Sequence, residues 1–212
     1  MRHRRYGDAG QAFPIYITVV GGLLFLAFAY FAVGQAAANR NGAQTAADAA
    51  ALAAAQDRRD QLADAWVKDV LDPAKWQGIF EGNAEGLEPS CWRAHELAAQ
   101  NDAQVLRCEP DGLLGFMVEV ESNKSVGESV VPGTAERKSD ATATAVIEPL
   151  CDLDPPAEDA GPDVLPQLSC EDGQDWKLDP DDLDVLPEPE DLFDVHLADP
   201  QGERRVMKEA ER

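Results

Sequence analysis

The sequence predicts an α+β protein. A long N-terminal helix, transmembrane and then alanine-rich, precedes a small disulfide-stapled antiparallel-sheet domain and an acidic, loop-rich tail. Three observations predict this order. Residues 12–33, AFPIYITVVGGLLFLAFAYFAV, give 22 positions without a charge, and residues 43–55 behind them are dominated by alanine. Short alternating apolar and polar runs follow between residues 103 and 149. All four cysteines lie beyond residue 90, in two pairs of similar spacing.

The uncharged run comes first in the chain and in weight. At about 1.5 Å per residue a helix of this length spans about 33 Å, enough to cross the hydrocarbon core of a bilayer. Arg2, Arg4 and Arg5 stand before it and the next charge is Arg40. By the positive-inside rule, residues 1–11 form a basic cytoplasmic tip, residues 12–34 a single transmembrane helix, and the remainder faces outward. A cleaved signal peptide is the competing reading, with a small-x-small site near Ala36–Ala38. Its apolar core usually runs to about 7–15 residues, shorter than the run here, which favours a retained anchor.

Residues 35–72 continue the helix. AQTAADAAALAAA (43–55) contains neither Gly nor Pro, and alanine is the best helix former. Asn41-Gly42 is the one place for a bend. From Leu62 the apolar residues Leu62, Trp66, Val67, Val70 and Leu71 fall on one helical face, and Asp72-Pro73 ends it, because the residue before proline is biased out of the α region. Unbroken, the rod over 13–71 is about 90 Å long. Alanine buries little area, so the alanine run is expected to contribute little to a hydrophobic core. Its small side chains instead suit close lateral packing against other helices, through Ala46, Ala47, Ala50, Ala53 and Ala54 above the membrane and Gly21 and Gly22 within it.

Residues 73–150 read as the small α+β ectodomain. The stretch 73–89 is a connection with Trp76, Ile79 and Phe80 tucked beneath the domain. Ser90 caps a helix over 91–101, whose packed face is read as Trp92, His95 or Glu96, and Ala99. Strands follow at 103–108, 113–121 and 141–149, the first two joined by a Pro110-Asp111-Gly112 turn. An even cysteine count on the oxidising side of a membrane implies two disulfides. Of the three possible pairings, the similar local spacings favour Cys91–Cys108 and Cys151–Cys170. A helix over 91–101 and the strand returning from it cover similar distances, which brings Cys108 back beside Cys91.

The region 151–212 is different in character. Residues 151–200 hold 17 acids and a single Lys177, with repeated Pro-Glu and Asp-Pro steps, and read as loops or partial disorder. DLFDVHLA (191–198) looks like one last strand returning to the sheet. The chain carries 18 Lys+Arg against 40 Asp+Glu, and three of the arginines with one aspartate precede residue 34, leaving 15 basic and 39 acidic residues outside. Such a surface excludes nucleic acid as a partner.

No motif for catalysis emerges. G-x-S-x-G and H-E-x-x-H are absent, and only His95 and His196 lie outside the tip. Zinc at Cys91, His95 and Cys108 lacks both a C-x-x-C and a fourth ligand. Asp179, Asp181, Asp182 and Asp184 crowd together, but the alternation and glycine of a calcium loop are missing. Asn123-Lys124-Ser125 fits a glycosylation sequon, a short pattern with many chance hits. The expectation is a non-enzyme with no cofactor, no metal and no small-molecule substrate.

Taken together, Asp8-Ala9-Gly10-Gln11-Ala12-Phe13-Pro14, the anchor, and Gln44-Thr45-Ala46-Ala47-Asp48-Ala49-Ala50-Ala51-Leu52-Ala53-Ala54 resemble the TadE/TadG-like branch of the tight-adherence (Flp) pilus assembly family, actinobacterial type. The resemblance covers residues 8 to about 60. It implies a membrane-anchored pilin-like component or assembly factor whose partners are the membrane and other pilus-system proteins or like subunits. Related pilins are cut after a glycine, which here corresponds to a Gly10-Gln11 junction, and carry glutamate at the fifth mature position. Ile15 stands there in this chain, a departure that fits the uncut TadG-like relatives. The alternative is a stand-alone anchored adhesin or envelope sensor on a helical stalk.

Overall fold

The computed structural model describes residues 12–125, 138–155, 164–171, 173, 175–180 and 186–198. The basic tip, the Gly10-Gln11 junction, Asp181, Asp182, Asp184 and the last residues from 199 lie outside them. Helix α1 (Ala12–Lys68) is one uninterrupted element of 57 residues, about 86 Å long, and Asn41-Gly42 does not break it. It ends in a turn in which Asp72 N–H donates to the Asp69 carbonyl at 2.8 Å. Pro73 then opens a second helix, α2 (Pro73–Phe80), at a position where its missing N–H costs nothing. The expected plain connection over 73–89 is thus partly helical, and Trp76, Ile79 and Phe80 are buried as anticipated. Trp76 stacks at a tilt on Trp66, with ring centroids 5.4 Å apart, and donates its indole N–H to the Asp69 carbonyl.

Helix α3 (Cys91–Gln100) starts where the sequence places it, but two details differ. Ser90 sits in the αR region and makes no side-chain cap; its buried hydroxyl accepts a hydrogen bond from Gln61 Nε2 at 3.2 Å instead. The packed face is Ala94 and Ala98, while Trp92, His95, Glu96 and Ala99 point outward. Small residues win that face because α3 lies directly against α1, whose own contact residues are small.

Strands β1 (Ala103–Pro110), β2 (Gly115–Ser122), β3 (Asp140–Pro149) and, from the far end of the chain, β7 (Phe193–Leu197) form an antiparallel sheet in the order β1-β2-β3-β7. Its inward face carries Phe116, Val118, Val120, Ala143, Ala145 and Ile147, alternating with outward Glu119, Glu121, Thr142, Thr144 and Glu148. One irregularity in β1 matters. Val105 pairs with Val120 and Arg107 with Glu119, leaving Leu106 as an extra residue. Without this bulge Cys108 would point away from the helices; with it, Cys108 returns to the inward face and bonds Cys91 across 5.9 Å between Cα atoms. The expected pairing is present, and both sulfurs that a zinc site would need are in the disulfide.

The described residues of the tail hold more regular structure than its composition suggests. β4 (Cys151–Asp154), β5 (Gln167–Cys170) and β6 (Asp175–Trp176) form a second, three-stranded antiparallel sheet. Cys151 and Cys170 face each other in register and form the second disulfide. Leu168 is fully buried and joins the main core. A short helix, α4 (Pro189–Leu192), then leads into β7, and Arg59 of α1 holds it through a 2.8 Å ion pair to Glu190. Gly82 (φ +83°) lets the loop after α2 press against the β1–β2 turn, where any Cβ would meet Leu113 atoms at 2.9 Å.

The largest correction concerns the alanine run. Ala43, Ala46, Ala47, Ala50, Ala51, Ala53, Ala54 and Ala55 are all buried, and all but Ala43 and Ala53 belong to one cluster that reaches from Ala46 to Phe193 and includes Phe116, Val118, Val120 and Ile147. Alanine itself offers little area. It allows α1 to lie close on the sheet, so that the large side chains of β2, β3 and β7 are covered by helix backbone. The bulk that alanine lacks comes from the strands.

Candidate packing surface on the first helix

α1 changes environment abruptly along its length. From Phe13 to Gly42 no described side chain is buried, whereas from Ala43 to Trp66 the helix is the centre of the core. The exposed half is also the apolar half: Phe25 is 73% and Tyr30 84% exposed, with Phe13, Leu23, Leu24, Leu26, Phe28 and Phe31 alongside. Exposing so much apolar surface to water is strongly unfavourable at about 25 cal/mol per Å², so this half requires a non-aqueous environment or a partner. The segment is one helix long and apolar enough to cross a membrane, near the N-terminus. Within it Thr18 folds its hydroxyl back to donate to the Pro14 carbonyl at 2.8 Å, so the polar group satisfies itself on its own helix.

Gly21 and Gly22 occupy adjacent positions on this half, and a Cβ built on either meets no atom within 4 Å. They are free to let another helix approach closely. The five alanines read from the sequence as part of the same surface are not. Ala46, Ala47, Ala50, Ala53 and Ala54 do mediate close packing, but against the chain's own sheet and α3, and none is left to face a neighbour. Sequence reasoning missed this because it judged the run by alanine's own area. The signal that could have revealed it was the set of inward Phe, Val and Ile residues on the strands, which need a cover.

The body first touches α1 at its lower margin, where Asn39 Nδ2 donates to the Ser125 carbonyl at 3.0 Å. Higher up, Arg58 lies with its guanidinium 5.6 Å over the Phe116 ring and donates to the Glu88 carbonyl at 3.3 Å. Burial pulls its pKa below the ordinary arginine value. At the distal end Asp57, Asp64, Glu85 and Glu88 line a shallow cleft with the half-exposed indole of Trp92. Among the described residues no His, Cys, Asp and Glu side chains gather into a metal-binding group.

Residues 10–57 match the family model described as putative Flp pilus-assembly TadE/G-like. That segment is similar to the TadE/G-like family. The TadE/G-like stretch contains the whole exposed apolar half of α1 and the alanine band through Ala55, and stops before α2, α3 and both sheets. No curated protein and no solved structure matches the chain. The match is confined to this N-terminal segment, and the residues behind it fall outside it.

Proposed function

We propose that the chain is a membrane-anchored, non-catalytic component of a Flp-type pilus, either of the fibre or of its assembly machinery. The N-terminus is cytoplasmic, on the evidence of Arg2, Arg4 and Arg5, and the region from α1's alanine band onward is displayed outside. The carrying observation is the division of α1: a TadE/G-like helix whose first half is buried by none of the described residues and whose second half is sealed into the ectodomain. Assembly then runs through lateral packing of the free half, with Gly21 and Gly22 as the points of closest approach.

Replacing both glycines by leucine tests this. A Cβ at either position meets no atom within 4 Å and both lie far from the buried half of α1, so the ectodomain keeps its melting temperature. The close helix contact is lost, and association weakens by about tenfold for each 1.4 kcal/mol it supplied. Cross-links to pilus-system proteins and surface pilus yield, compared with wild type at equal expression, should both drop. Unchanged cross-links and yield would instead favour an anchored ectodomain acting alone.

A further inference from the structure

One end of the four-stranded sheet lies beside α1 just beyond its apolar run. Asn39 and Ser125 are bonded, and Gln44 Nε2, five residues on, lies 3.5 Å from the Thr142 carbonyl, so the start of β3 and the end of β2 are fixed beside α1 just above the apolar run. Val33 closes that run, and Asn39 lies six residues, or about 9 Å, beyond it. The headgroup region extends about 5–8 Å outside the hydrocarbon core. Ser125 therefore sits at the outer margin of the headgroups. If the hydrocarbon edge moves outward along the uncharged residues 34–38, the sheet end approaches more closely still.

Its chemistry suits that position. The chain carries a net charge of −22, and an acidic surface is repelled by an anionic leaflet. At this end, however, Arg40, Lys124 and Lys138 stand among Asp102, Glu121 and Asp140 in the described residues. Lys124 pairs with Asp102, and Lys138 with Glu121 at 2.8 Å. Glu121 also accepts from Gln104 Nε2 at 2.7 Å. Ser122 and Ser139 tie the strand ends together: Ser122 N–H donates to the Ser139 carbonyl and Ser139 N–H to Ser122 Oγ. The result is a braced rim with the Lys124 side chain 74% exposed.

We propose that this rim, Asp102, Asn123–Ser125 and Lys138–Asp140, rests on the phosphate-bearing lipid headgroups of the membrane that holds α1. Lys124 lies within reach of a lipid phosphate. The ectodomain is then seated on the bilayer and not lifted on a stalk, and the cleft at Asp57, Asp64, Glu85 and Glu88 faces away from the membrane. The proposal rests on the reading of α1 as a retained anchor.

The full chain, with its disulfides intact, is labelled with an environment-sensitive fluorophore at one introduced cysteine: Asn123→Cys at the rim, Val67→Cys about 50 Å above Val33, or Phe25→Cys within the apolar run. Each is placed in nanodiscs of phosphatidylcholine and phosphatidylglycerol carrying a nitroxide on either the headgroup or the acyl chain. Headgroup nitroxide should roughly halve emission from position 123 and leave position 67 unchanged; acyl-chain nitroxide should quench position 25. A label at 123 that behaves like the label at 67, while position 25 is quenched, overturns the seating and leaves the anchor intact. Loss of quenching at position 25 overturns the anchor itself. Lys124→Cys, also exposed, provides a second rim position with the same expected result.

Discussion

Replacing Ala50 and Ala54 by leucine lowers the melting temperature of the full-length protein in detergent by about 5–20 °C. Both alanines are completely buried, one turn apart, between the sheet and α3. Leucine is a good helix former, so α1 itself is not weakened. The added carbons have nowhere to go: overpacking a well-filled site costs about 1–3 kcal/mol per substitution, and neighbouring sites couple. For a chain of this size each kcal/mol moves the melting temperature by about 2–4 °C. A thermal scan followed by near-ultraviolet circular dichroism measures it through Trp66 and Trp76, which stack in the same core. A melting temperature equal to wild type would mean that the alanine face is not the contact surface described.

The second large effect belongs to the first disulfide. Substituting Cys91 and Cys108 by alanine removes a 17-residue loop closure, worth about 3 kcal/mol in the chain-entropy model. The loss is global, because the bond ties the first turn of α3 to the bulged part of β1, and α3 otherwise holds to the core through little more than Ala94 and Ala98. A fall in melting temperature of about 6–12 °C follows. The Cys151–Cys170 pair closes a loop of similar size, 19 residues, but links directly facing residues of β4 and β5. Its removal should open the three-stranded sheet locally and leave β1, β2 and β3 protected. Hydrogen exchange on the two double variants separates global from local loss; equal deprotection of both sheets in the Cys151/Cys170 variant would refute the distinction.

Much of this architecture is written in local patterns. The uncharged run before Arg40, the alternation through β1, β2 and β3, the return of residues 191–198 as a strand, and the spacing of the cysteines are each signals carried within a few residues. What escaped depends on partners far away in sequence. The alanine band looks too small for a core until Phe116, Val118 and Ile147 are placed opposite it. In α3 the small Ala94 and Ala98 beat Trp92 for the buried face because the neighbour is an alanine-lined helix. The second sheet has strands of two to four residues whose buried members are little more than Cys151 and Leu168, too few to show a period amid so many acids. Ser90 was read as a cap, its commonest use; Gln61, 29 positions away, engages its hydroxyl instead.

The central claim is that the two halves of α1 do different work, the first meeting the membrane and neighbouring helices, the second belonging to the chain's own fold. Site-specific photo-cross-linking in cells carrying the pilus system tests it most directly, with a photoreactive residue at Phe25 or Phe28 in the first half and at the exposed positions Gln56, Asp60 or Asp64 in the second. The expected result is cross-links to other pilus-system proteins or to like subunits from positions 25 and 28, and none from 56, 60 or 64. Cross-links confined to 56, 60 and 64, with 25 and 28 silent, would contradict it.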